Sequence, residues 1–215
     1  MVRPWLVFVT TSGSSKHLES LRCWTSNWTA AHDVHLHSNR VLAPEWLAVL
    51  QAVPARKRSL SVAVSNDNHQ YGAIRAFVDA RALFEDYDWV IRLNPDVQVY
   101  HPDAFLSRMR IPDVAAVLAN CNPDTTCTFG SSCLDAIAHT DFQVFRPTAV
   151  DWSAGTAAKA EKHATQLFRA AFPQTSWLQA RGFRDRSCRI RAGVREGAPT
   201  VVHRASHLII CSRVA

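Results

Sequence analysis

The stretch YDWVIRLNPDVQVYHPDAFL, residues 87–106, carries the residues of this chain best suited to chemistry. An apolar run breaks at Asn94-Pro95-Asp96 and resumes with Val97 and Val99. Burying an unpaired carboxylate costs on the order of several kcal/mol. Asp96 therefore marks either an exposed turn, which Asn-Pro-Asp forms readily, or a carboxylate with a positive partner to hold. A second feature concerns charge. Eight arginines fall between Arg181 and Arg213, in a chain whose formal net charge is +6. That density suits an anionic partner, and the forked guanidinium matches phosphate oxygens better than an ammonium does. A solvated basic surface is the plainer alternative.

The elements that must position Asp96 read as alternating strands and helices. Strand-like runs are WLVFVTT (5–11), DVHLHS (33–38), RSLSVAVSND (58–67), DWVIRL (88–93) with VQVY (97–100) continuing it, VAAVLAN (114–120) and DFQVFRP (141–147). Helical spacing marks 15–30, 43–53 with Pro44 near its first turn, 70–87, a short segment at PDAFLSRM, and 157–172. Residues 199–212 are mixed and stay undefined. Alternation over the first hundred or so residues predicts an α/β fold with a mostly parallel central sheet and helices on both faces. Such sheets bind ligands outside the carboxyl ends of their strands. Thr10–Gly13, Ser65–Asn68 and Asn94–Asp96 are polar segments directly after apolar strands, so all three fall along that edge.

Composition narrows the function classes. At 47% hydrophobic and 20% charged, the 215 residues suit a single folded domain. No run approaches the roughly 20 apolar residues of a membrane span. The apolar core Trp5–Val9 is shorter than a signal h-region and reads as a first strand. No nucleic-acid-binding module is recognisable, and aromatic and basic residues do not interleave. Six cysteines, three of them in CNPDTTCTFGSSC, do not fit paired C-x2-C zinc spacing and are compatible with disulfides. The sequon Asn27-Trp28-Thr29 is, like disulfides, compatible with an oxidising compartment.

With QYGAIRAF, then FEDYDWVIRLNPDVQV, then HTDFQVFRP, the chain resembles the GT-A-type nucleotide-sugar glycosyltransferases, and among them a branch found in algae, fungi and large algal viruses. The resemblance implies one Rossmann-like GT-A domain over residues 1–215, with a nucleotide-binding part at about 1–100 and an acceptor-binding part at about 101–215. It implies a hexosyl- or pentosyltransferase acting from a nucleotide-sugar donor, a UDP-sugar by preference, on a glycan or glycoprotein acceptor. The family's short acidic motif, Asp-any-Asp, holds a divalent metal that holds the diphosphate. Here Asp96 matches its second acid, while Asn94 replaces the first and brings an oxygen without charge. Mn2+ or Mg2+ bound weakly without nucleotide is the expectation; a metal-independent enzyme using the C-terminal arginines is the alternative.

The resemblance assigns further roles. His203, with His207 as competitor, matches a late metal or diphosphate ligand. Asp141 matches a general base or acceptor-sugar ligand, ahead of Glu161. Thr10, Thr11 and Ser12 fall at the base and ribose, Asp67 beside them, and Arg75 and either Arg189 or Arg191 toward the diphosphate. Trp177 is a candidate stacking platform for the acceptor. A secretory or Golgi lumen is the expected location if an anchor segment exists, otherwise the cytoplasm. Two other readings compete. A nucleotidyltransferase shares the sheet but opens with a glycine-rich loop, and TTSGSSK has one glycine. A non-catalytic nucleotide- or carbohydrate-binding relative would have lost its first acid at Asn94.

Overall fold

The fold is taken from a computed structural model that describes residues 5–24, 27–65, 69–99, 102–120, 122, 127, 129–130, 133–154, 160–179, 191–193 and 199–203. Its strands are β1 (Leu6–Thr11), β2 (Asp33–Ser38), β3 (Lys57–Val62), β4 (Val90–Leu93), β5 (Val97–Val99), β6 (Ala116–Asn120), β7 (Ala138–Phe145), β8 (Thr175–Gln179), β9 (Arg191–Gly193) and β10 (Pro199–His203). Its helices are α1 (Ser15–Arg22), α2 (Glu45–Ala52), α3 (His69–Asp79), α4 (Arg81–Phe84), α5 (Asp103–Met109) and α6 (Ala160–Phe168).

Seven strands form one sheet in the order β3-β2-β1-β4-β7-β6-β8. The pairs β3–β2, β2–β1, β1–β4 and β6–β8 are parallel, and β7 runs antiparallel to both its neighbours. Every residue of β1, β2 and β4 is buried, as expected of central strands covered on both faces. Alternation along β1 splits the core. Val7 and Val9 pack with Leu21 of α1, Trp24 just after it, Trp46 and Leu50 of α2, and Phe105 of α5. Leu6 and Phe8 pack with Phe77 of α3, Phe84 of α4 and Phe168 of α6. The expected α/β sheet with helices on both faces is therefore observed.

The interruption at Asn94-Pro95-Asp96 is where the chain changes sheets. Val97 N–H donates to the Asn94 carbonyl at 3.0 Å, closing a turn. β5 then leaves the main sheet and joins β10 and β9 in a second, antiparallel one. VQVY is thus not a continuation of β4, because Pro95 cannot donate to a ladder. Other elements are shorter than their periodicity predicts. The expected helix over 15–30 stops at Arg22, with a 3-10 turn at Asn27–Thr29, and the one over 70–87 divides into α3 and α4. Helix 157–172 is α6 followed by a 3-10 segment, Arg169–Gln174, that holds Pro173.

Cys127 and Cys133 form a disulfide, Cys23 is disulfide-bonded, and no described cysteine is free. Among the described residues no helix is long and apolar enough to cross a membrane.

Candidate functional site

The strand order reverses between β1 and β4: from β1 the chain winds outward through β2 and β3, then returns to place β4 on the other side. Open α/β sheets bind ligands at the carboxyl ends of such a pair. β1 ends there in Thr10 and Thr11, both buried, followed by half-buried Ser12. Gly13 adopts φ +72, a left-handed turn that sends the chain into α1. Thr10 Oγ1 donates to Asn94 Oδ1 at 2.8 Å and so links the two strand ends.

Asp96 is 5% exposed beside this link. Two side chains from the start of α1 face it: Lys16 Nζ lies 3.6 Å from Oδ2, and His17 Nε2, charged only when protonated, lies 3.8 Å from Oδ1. Ser14 caps α1 by accepting from His17 N–H at 3.2 Å, which fixes the first turn. The other ring nitrogen of His17, Nδ1, is 3.0 Å from Thr11 Oγ1, a hydroxyl that also accepts from Gly13 N–H at 3.1 Å. The turn under Asp96 is held from the far side, where Trp24 Nε1 donates to the Pro95 carbonyl at 3.3 Å.

Asp141 comes from β7. Its carboxylate accepts from Asn94 Nδ2 at 2.8 Å and from Thr140 Oγ1 at 3.3 Å, and its carbonyl accepts from Asn94 N–H at 3.2 Å. Its own N–H donates to Nδ1 of buried His139 at 2.9 Å. Beneath this group lies Arg92 of β4, fully buried, whose Nη2 donates to Thr10 Oγ1 at 2.9 Å and Asn94 Oδ1 at 3.3 Å. Burial lowers the Arg92 pKa to about 10, opposed by the nearby charge of Asp141; the guanidinium stays charged at neutral pH.

The fold thus gathers Thr10, Thr11, Asn94, Asp96 and Asp141, five of the residues singled out in the sequence. His203 ends β10, and the ladder places it opposite Val97, next in sequence to Asp96. Arg75 is exposed on α3 with Asp79 3.7 Å away. Glu161 is half-buried in the first turn of α6. Trp177 is 5% exposed and packs edge-on against Phe172 in the core, so it offers no platform for a sugar. Arg191 opens β9, while Asp67, Arg189 and His207 lie outside the described residues. Lys16, His17 and Arg92 were not anticipated. The arginine inside the apolar run VIRL was the one visible signal.

Solved structures share this arrangement of strands. An active-site mutant of LgtC superposes with a TM-score of 0.58 over 98% of this chain and 91% of that one, at 12% identity. The fold is that of the GT-A glycosyltransferases. The galactosyltransferase LgtC in complex with donor and acceptor sugar analogues matches at a TM-score of 0.51, 10% identity, over 80% of this chain and 72% of that one. The bifunctional glycosyltransferase WbbM, in its apo form, matches at 0.51 and 8% identity, over 82% of this chain and 38% of its own length. Neither a family model nor a curated protein sequence matches the chain.

Proposed function

We propose that the protein is a glycosyltransferase that takes a sugar from a nucleotide-sugar donor, a UDP-sugar by preference, and passes it to a hydroxyl of a glycan or glycoprotein. The observation that carries this reading is the buried Asp96 at the β1–β4 reversal with Lys16 and His17 turned toward it. A departing diphosphate brought to this strand edge would meet the Lys16 ammonium and, when protonated, the His17 imidazole as counter-charges.

In transfer, the bond from the anomeric carbon to the diphosphate breaks while the acceptor oxygen bonds to that carbon. Negative charge grows on the departing phosphate, and fixed cations aimed at it lower the barrier. Lys16 supplies such a charge, as does His17 when protonated. Asp141, on the side of the later strands, takes the acceptor hydroxyl's proton or holds the acceptor sugar. Ser12 offers its hydroxyl to the nucleoside at the strand end that Thr10 and Thr11 form, in the half of the chain before about residue 100.

A divalent metal would find one hard ligand among the described side chains here. Asp96 provides one charged hard oxygen, and His203 lies across the ladder from Val97. Mg2+ or Mn2+ commonly takes one or two carboxylates with substrate phosphates and water, so the Asp96 carboxylate would hold it there, and His203 is the residue the resemblance adds as a further ligand. Bound in that place it would add charge neutralisation at the diphosphate. Among the described residues no cluster of three His, Cys, Asp or Glu side chains stands ready for a metal without nucleotide.

The test is a panel of UDP- and GDP-sugars with Mn2+, read as released nucleoside diphosphate. The wild-type protein is expected to release it, and Asp96→Ala to lose at least about a hundredfold with its melting temperature retained. A wild-type protein that binds nucleotide but turns over no donor would be a binding module instead.

A further inference from the structure

We infer that Asn94 is a positioning residue rather than a donor contact: its amide is a two-ended bridge that couples buried Arg92 to the carboxylate of Asp141. The inference rests on the transferase reading for what Asp141 does, and on geometry alone for the bridge.

The amide's orientation is dictated by its neighbours. Arg92 can only donate, and an ionised Asp141 can only accept. Asn94 Oδ1 therefore faces Arg92 and Thr10, at 3.3 and 2.8 Å, and Nδ2 faces Asp141, at 2.8 Å. The reverse placement would set donor against donor and oxygen against carboxylate. Two donors also use both lone pairs of Oδ1. An Asp at this position would accept from Arg92 and Thr10 equally well, but would bring a second carboxylate against Asp141. Asn is the residue type of this size that satisfies both sides, which gives the Asn-Pro-Asp sequence a physical reason.

Arg92 supports the same conclusion. It is 0% exposed, and its Nε and Nη1 have no hydrogen-bond acceptor among the described residues. Gln143, its ladder partner on β7, likewise has no partner there for either amide atom. A charge buried so incompletely matched is poor for stability, and replacing such groups by apolar ones is often neutral or better. What Arg92 does accomplish is to tie β1, the end of β4 and, through Asn94, β7 into one rigid group. Asp141 then faces the reaction in one orientation.

The experiment compares Asn94→Asp, Asp141→Asn and the exchanged pair Asn94→Asp/Asp141→Asn. Asn94→Asp is expected to lower kcat at least about thirtyfold while nucleoside diphosphate affinity, measured by calorimetry, stays within about twofold. The exchanged pair again sets one amide against one carboxylate. Its melting temperature is expected to recover beyond the sum of the single changes, without recovery of kcat. If Asn94→Asp does not fold, Asn94→Ala is expected to show the same split between kcat and affinity. An Asn94→Asp variant with wild-type kcat, or one that gains Mn2+ affinity, would make residue 94 a metal ligand and overturn the bridge. Additive melting shifts would overturn it too. A wild-type protein inactive on every donor would defeat the transferase reading instead, and the melting temperatures would still decide the bridge.

Discussion

Lys16 and Asp96 differ sharply in exposure: the lysine side chain is 51% exposed and the carboxylate 7%. An ion pair half in water contributes on the order of 0–1 kcal/mol to folding. Lys16 therefore matters less to the fold than to an anion arriving beside it. Lys16→Met should leave the melting temperature almost unchanged and weaken nucleoside diphosphate binding about tenfold, by calorimetry at low salt, with the difference shrinking as ionic strength rises. Equal affinities for the two proteins would remove Lys16 from the site. Asp96 was legible in sequence because a carboxylate that breaks an apolar run needs a reason. Lys16 and His17 were not, because polar residues opening a helix are ordinary. Arg92 is a charge inside the apolar run VIRL, but its partner Thr10 is 82 residues away, and no local pattern encodes that pairing.

The turn from β4 to β5 shows how elements rather than residues place the carboxylate. Trp24, two residues past α1, is 8% exposed and donates to the Pro95 carbonyl, so α1 and the turn carrying Asp96 move as one. Trp24→Phe keeps most of the apolar surface but deletes that donor. It should cost about 1 kcal/mol in chemical denaturation, the typical net contribution of one intramolecular hydrogen bond. It should also weaken nucleotide binding, because Asp96 and Lys16 lose their common frame; destabilisation with unchanged affinity would show the two sides to be independent. Periodicity made β1 through β4 and their helices readable, since each signal lies within a single segment. It could not show that β5 departs for β10, nor that β7 runs against its neighbours. Those depend on pairing between distant segments, such as Val97 with His203 and Arg92 with Gln143.

At the scale of the whole molecule, the half of the sheet toward β3 carries a built-in sensitivity to acid. His35 and His37 of β2 are 8% and 7% exposed, His35 lies between Ser59 and Ser61 hydroxyls at 2.8 Å each, and His37 shares Ser61 at 2.8 Å. Phe8 stacks on His35, an apolar neighbour that offers no counter-charge. Burial lowers the His35 pKa to about 4, with the adjacent His37 adding to the effect, and burial lowers His37 as well, opposed by Asp79. Unfolded histidines bind protons below about pH 6.5, whereas folded His35 stays neutral until about pH 4. Across that window the unfolded chain holds more protons, so stability is full above pH 6.5 and falls as the pH drops toward 4. His35 alone accounts for up to about 3 kcal/mol of that loss. Melting temperatures between pH 7 and pH 4.5 should therefore decline, and His35→Gln should flatten the slope. The ladder pairs His37 with Thr10, the hydroxyl that joins β1 to Asn94, so a proton taken up by these histidines disturbs the strand that carries the site. Nucleotide affinity should consequently fall over the same window before global unfolding. A His35→Gln protein that loses stability in acid as steeply as the wild type would assign the sensitivity to other groups.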